Sequence, residues 1–181
     1  MAKSDEYQEL AGSLASGDMT VSQSHVVQGD ELRQFLGSLP PKSPLPAVLD
    51  YWLGLQNSDR IPARRDLDPT AMDSATLPHI VIIDVEEEPQ RRFRYRMVGT
   101  AVGTIFGADY SGRYMDELGL GDVFARVVTF YTLICNDPQP AQLKGSYETR
   151  SGLTFDVARL AMPLSEDGKH IDSLFCAFDK S

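Results

Sequence analysis

The sequence predicts an α+β fold: a five-stranded antiparallel sheet with helices on one face, plus further helices at the N-terminus. Three observations predict it. Ile80 to Val85 is β-branched, and after a turn containing Pro89 the residues Phe93, Tyr95 and Met97 alternate with Arg94, Arg96 and Val98, which reads as a hairpin. Asp122 to Ile134 carries a helical pattern. Strand-like segments then resume at about 141–149, 154–163 and 171–179, and strands followed by helices followed by strands favour an antiparallel α+β layout.

Residues 1–29 are rich in Ser, Gly, Gln and Asp and are expected to form a mobile or weakly helical tail. Asp30 is placed to cap a short helix whose residues Leu32, Phe35, Leu36 and Leu39 make one apolar stripe. That stripe can cover the chain's own core or pack against a partner chain, since so short a helix is unstable alone. Pro40, Pro41, Pro44 and Pro46 interrupt the chain, and a second helix is expected from about Ala47 to Gln56, with Val48, Leu49, Trp52, Leu53 and Leu55 on a wide apolar face. Asp68 before Pro69 reads as a helix start, running to about Ala75 before Leu77-Pro78 stops it. These segments divide the chain into a tail at 1–29, a helical extension at 30–76 and the sheet domain at 77–181.

After the hairpin, Gly103, Gly107, Gly112 and Gly119 punctuate short helices or turns. The long helix has apolar residues on most sides (Val123, Phe124, Val127, Val128, Phe130, Tyr131, Ile134) and is expected to be buried on most sides. Ser165-Glu166-Asp167-Gly168 reads as the turn between the last two strands.

Composition narrows the function. A chain of 181 residues fits one domain with some extra helix or tail and can bury a core without disulfides or metals. Its 17 basic residues against 26 acidic ones give a net charge of −9, which disfavours nucleic acid and a polybasic membrane anchor as partners. Met1 to Leu10 has no apolar run of the kind a secretory signal needs, and no segment reaches the ~20 apolar residues of a membrane helix, so the cytoplasm is the expected compartment.

The order of elements resembles the PAS fold. PAS domains commonly end their second strand in an Asn-x-Ala-like step with a Gly eight residues after the Asn; here Gly99-Thr100-Ala101 stands at the step and Gly107 at the later position. Gly99 replaces the usual Asn, so a side-chain hydrogen bond typical of the fold is expected to be missing. From about Leu49 to Asp179 the chain is similar to a bacterial subfamily of short, stand-alone PAS proteins. The matching residues are Tyr51-Trp52, Ile61-Pro62-Ala63-Arg64, Asp66-Leu67-Asp68-Pro69, Leu77-Pro78, Arg94 to Thr100, Phe106-Gly107, Asp109 and Ser111-Gly112-Arg113. No one of these motifs is specific; their order and spacing carry the resemblance. It implies a sensory or interaction module.

Haem and flavin are not expected as cofactors. The long helix offers no His as an axial ligand, and neither Ile134-Cys135-Asn136 nor Phe175-Cys176-Ala177 resembles a flavin-photoadduct motif. Cys176 reads as a small buried apolar residue. His25, His79 and His170 follow no metal-ligand spacing, and the chain carries no phosphate loop or nucleophile elbow.

Two groups remain as candidate sites. The resemblance implies a cavity between the long helix and the concave sheet face, with Tyr95, Phe106, Phe124, Tyr131, Arg159 and Phe175 as ligand contacts; Tyr147 and Phe155 belong to the same aromatic set. Strand phase is not readable from one sequence, and each of these can equally be core. The second group is Arg94 and Arg96, with Arg91 and Arg92 and with Arg60, Arg64 and Arg65 nearby in type, as a docking patch for an anion or partner, joined by the stripe Leu32, Phe35 and Leu36. Those arginines can instead face water or pair with Glu86-Glu87-Glu88 across the hairpin.

The leading expectation is therefore a cytoplasmic signalling module that binds a small ligand, a separate signalling protein, or both, and can homodimerise through its N-terminal helices. The alternatives are a small cavity enzyme, such as an isomerase or hydrolase using Asp156, Arg159 and Tyr131, or a purely structural interaction protein.

Overall fold

A computed structural model describes residues 19–56, 60–119, 121–149 and 154–180. In chain order these form β1 (Met19–Gln28), α1 (Gly29–Gly37), α2 (Leu45–Leu55), 3-10 turns at Arg64–Asp66, Pro69–Ala71 and Leu77–His79, β2 (Ile80–Glu86) and β3 (Arg92–Val98). Then come α3 (Thr100–Phe106), a 3-10 turn at Met115–Glu117, α4 (Gly121–Asn136), β4 (Ala141–Thr149), β5 (Thr154–Leu164) and β6 (Ser173–Lys180). All the strands join one antiparallel sheet in the order β1-β4-β5-β6-β2-β3.

The sheet thus has six strands among the described residues, not the expected five. The added strand, β1, occupies residues expected to be tail, and it pairs with β4 from Met19↔Thr149 to Gln28↔Ala141. Residues 1–18 of that expected tail lie outside the described residues.

Both faces of the sheet are covered, because successive strand side chains alternate sides and both sets here are apolar. On the inner face, Val81, Ile83, Tyr95, Leu143, Val157, Leu174, Cys176 and Phe178 pack with Val102, Ile105 and Phe106 of α3 and with Val127, Phe130, Tyr131 and Ile134 of α4. On the outer face, Ile80, Ile82, Ala158, Leu160, Met162, Phe175 and Ala177 pack with Leu32 and Leu36 of α1 and with Leu45, Val48, Leu49 and Trp52 of α2. The expected N-terminal helices, α1 and α2, form a third layer on the sheet face opposite α3 and α4. Trp52 fixes that layer, since it is 1% exposed and its indole N–H donates to the Pro163 carbonyl at 3.0 Å. Pro163 sits in β5 itself, so the bond ties α2 to a central strand.

Local differences from the sequence reading have simple causes. Asp30 lies in the first turn of α1, beside Arg33, rather than at its cap. Asp68 does cap, accepting from the Thr70 N–H at 2.9 Å, but only a 3-10 turn follows. The chain is already extended at Met72, and Asp73 then accepts from the Ala75 N–H in an Asx turn that competes with a restart of the helix. In α4, Val123, Val127, Phe130, Tyr131 and Ile134 are buried, while residues 125, 126, 129, 133 and 136 form an exposed stripe. The helix is half-buried, not buried on most sides, because only the sheet covers it. The β5–β6 turn forms as expected: Asp167 accepts from the N–H groups of Lys169 and His170, and Gly168 takes φ +73°.

Candidate functional site

The inner face is assembled around Arg159. Its register partners, Leu143 on β4 and Phe178 on β6, are both buried on the same side. The guanidinium carbon lies 4.7 Å from the Phe178 ring centre and 5.8 Å from that of Tyr131, and the residue is 5% exposed. A cation so far from water is favoured only where aromatic faces and polar groups replace its hydration. The surrounding rings touch one another: Phe93–Tyr131 at 5.4 Å, Phe130–Tyr131 at 5.5 Å, Phe106–Phe178 at 5.5 Å and Tyr95–Phe106 at 6.0 Å between centroids. Tyr131 is wholly buried, and burial pushes its phenol well above the usual range, with the Cys176 thiol as a polar neighbour. Burial also pushes the Cys176 and Cys135 thiols up to about 12, so both are protonated and poor nucleophiles at neutral pH.

Of the expected ligand contacts, Tyr95, Phe106, Tyr131 and Arg159 come together here, and Phe124 packs half-buried at the margin. Phe175 does not. It points to the outer face, where it meets Tyr51 edge-on at 6.1 Å, because the phase of β6 places Cys176 and Phe178 inward instead. The side chains of Tyr147 and Phe155 lie outside those described. The enzyme set is split as well. Asp156 is an odd number of positions from Arg159 on a regularly paired strand, so the two lie on opposite faces of β5. Asp156 is held by the Ser146 hydroxyl and Lys144, and the Ser146 hydrogen bond lowers its carboxyl below the usual range, which leaves it ionised and a poor proton donor at neutral pH.

A second site lies on the outer face beyond α2. Asp84, 7% exposed, is the one acidic residue in the buried run of β2. Its Oδ1 accepts from Arg64 at 3.2 Å, and its Oδ2 accepts from Arg94 at 2.9 Å and from Arg96 at 3.1 Å. Arg94 also reaches Glu86 at 3.4 Å. The neighbouring arginines are committed elsewhere. Arg91 pairs with Glu87, and Arg92 grips both oxygens of Asp116 and reaches Glu117. Arg92 also stacks 3.7 Å over the Tyr114 ring, whose hydroxyl donates to Glu86. The expected pairing across the hairpin therefore accounts for Arg91 and part of Arg94, while Asp84, which the sequence reading passed over, is the main partner of Arg94 and Arg96. The signal was present: a lone carboxylate inside an apolar strand must be paired to be buried.

The stripe Leu32, Phe35 and Leu36 is not a free docking face. Leu32 and Leu36 are buried in the outer core and Phe35 is half-buried against it, because β1 and β4 supply the surface that the sequence alone did not reveal. The histidines are also placed apart. His79 Nδ1 meets the Phe178 carbonyl at 3.0 Å, His170 Nδ1 meets Asp167, and His25 is exposed on β1. Among the described residues no helix is long and apolar enough to cross a membrane.

No curated protein and no solved structure matches the chain. A family model described as PAS domain matches residues 41–178, which takes in α2, the inner face around Arg159, the Asp84 cluster and most of β6. With more than half of its length covered, and with an antiparallel sheet backed by α3 and α4 as its core, the chain belongs to the PAS domain family.

Proposed function

We propose that this PAS domain is a sensory module that receives a small molecule on its inner face and relays the event through the sheet to β1, α1 and α2. The observation that carries this reading is Arg159, a buried cation walled by Tyr131 and Phe178. Such a group recognises a molecule that is largely apolar but carries a carboxylate or carbonyl oxygen. Because the inner rings touch, entry requires one of them to move. Phe106 is the candidate, since α3 is short and ends at Gly107 in a left-handed turn, φ +73°. The relay has a physical route, because neighbouring residues of β5 and β6 belong to opposite layers and a shift in one layer moves the other. Two inert thiols and the separation of Asp156 from Arg159 favour this binding role over an acid–base enzyme.

Native mass spectrometry of the protein purified from its natural host tests the reading. A small-molecule adduct is expected in the wild-type chain and is expected to be lost in Arg159→Met, with the melting temperature followed in parallel. A fully folded wild-type chain that carries no adduct, or an adduct retained in folded Arg159→Met, sinks it.

A further inference from the structure

We propose that the cluster of Arg64, Arg94 and Arg96 around Asp84 is a docking site for an acidic peptide segment of a partner protein. The site is built rather than incidental. Arg64 comes from the 3-10 turn at Arg64–Asp66 and the other two from β3, and all converge on the two oxygens of one carboxylate whose side chain is 9% exposed. The guanidinium groups keep their outer sides in water, with side-chain exposures of 38%, 36% and 49% for Arg64, Arg94 and Arg96. Each guanidinium has five N–H donors, and Asp84 accepts one from each, with Glu86 an ion-pair neighbour of Arg94. Three guanidinium groups face two carboxylates here, while Arg92 beside them is held by Asp116 and Glu117, so the positive charge is local to the three forks within a balanced surround.

The backbone adds a second feature. Ile82 pairs with Met97 and Ile83 with Tyr95, so Arg96 is an extra residue in a β-bulge. A bulge re-aims the side chains beside it. Here it brings Met97, opposite the outward residue Ile82, to the same face as Arg94 and Arg96, and Met97 is 43% exposed. The surface therefore offers guanidinium forks beside an adaptable apolar side chain.

This combination selects among anions. A single ion pair between groups this exposed is worth little, so a free small anion gains too little to stay. A polypeptide gains several contacts at once and can set an apolar residue on Met97. Asp116, Glu117 and Glu86 flank the cluster and repel a continuous phosphate backbone, whereas a peptide can place one carboxylate among them. The proposal stands apart from the inner-face reading, since Arg159→Met leaves every group in this cluster unchanged.

The experiment is fluorescence anisotropy with a labelled short peptide that carries one glutamate beside a leucine, and the full chain, at low and moderate salt. Binding that weakens with salt is expected. Arg96→Glu is expected to weaken it about tenfold and Arg64→Gln about threefold, with melting temperatures confirming that both variants fold. Asp84→Asn is expected to tighten it about threefold, because the guanidinium groups lose their internal competitor; a merely structural cluster predicts no such gain. Three results overturn the proposal: no salt-sensitive binding, binding indifferent to Arg64 and Arg96, or full displacement by inorganic phosphate at equal carboxylate and phosphate concentration, which would identify a small-anion site. Self-association that Arg96→Glu abolishes would make a second copy of the chain the occupant and overturn it too.

Discussion

Gly99 is glycine for a steric reason. Its N–H donates to the Ile80 carbonyl at 2.8 Å, which draws the end of β3 against the turn before β2. A Cβ at this position would lie 2.3 Å from the Pro78 oxygen, 2.7 Å from the Pro78 carbonyl carbon and 2.8 Å from the Ile80 oxygen, all of them backbone. The Asn that PAS domains usually carry here is therefore incompatible with this chain's Leu77-Pro78 turn. Its backbone is extended, φ −64° and ψ 152°, so the obstacle is contact rather than strain. Gly99→Asn restores the family's residue at the start of α3, where an Asn side chain ordinarily caps. It is nevertheless expected to destabilise the protein by about 3 kcal/mol, because overpacking against fixed backbone outweighs a cap worth about 1 kcal/mol. Urea unfolding measures this, and a midpoint equal to or above that of the wild type would mean that the turn at Leu77–His79 retreats freely.

At the scale of elements, β1 and the β2–β3 hairpin contrast in how visible they are. The hairpin announces itself locally, through β-branched residues, alternation and a proline turn. The segment Met19–Gln28 reads Met-Thr-Val-Ser-Gln-Ser-His-Val-Val-Gln, in which the β-branched pairs Thr20-Val21 and Val26-Val27 are separated by four polar residues with no alternation, so local propensity marks no continuous strand. What makes it a strand is the open edge of β4, more than a hundred residues away in the chain, which its backbone groups pair along nearly the whole length. Asp84 escaped the sequence reading for the same reason, and so did its pairing with Arg64: the two are 20 residues apart and meet only once the turn at Arg64–Asp66 packs against β2. Arg94 and Arg96, by contrast, were legible as a pair on one strand. Phase explains Phe175, since Ser173 to Lys180 is buried for most of its length and gives no alternation from which to choose the inward set. Beginning the chain at Gly29 removes β1 and leaves β4 as the sheet edge. Unsatisfied edge strands recruit other strands, so the shortened chain is expected to run at a higher mass than the full chain in size-exclusion chromatography with light scattering. An unchanged mass and melting temperature would show that β1 contributes nothing to closing that edge.

For the whole molecule, the decisive feature is that one sheet serves two cores. Phe175 and Ala177 belong to the outer layer, while Leu174, Cys176 and Phe178 between and beside them belong to the inner one. No strand can loosen on one side and keep its packing on the other, so the layers should open together. Cys176 reports on this coupling. It is fully buried on the inner face and its thiol is pushed up to about 12, so alkylation requires opening and exposure to water. Trp52 is the opposite probe, fully buried on the outer face. Trp52→Ala removes that packing and is expected to cost about 3–5 kcal/mol. Trp52→Phe keeps most of the volume and loses chiefly the bond to Pro163, about 1 kcal/mol. If the layers open as one unit, Cys176 labelling by iodoacetamide, followed by peptide mass mapping in native buffer, accelerates about fivefold in Trp52→Phe and at least a hundredfold in Trp52→Ala. Labelling of Cys176 at the wild-type rate in a Trp52 variant whose urea midpoint has fallen would mean that the outer layer opens alone. It would also remove the mechanical route by which an event beside Arg159 reaches α1 and α2, leaving the two faces to act independently.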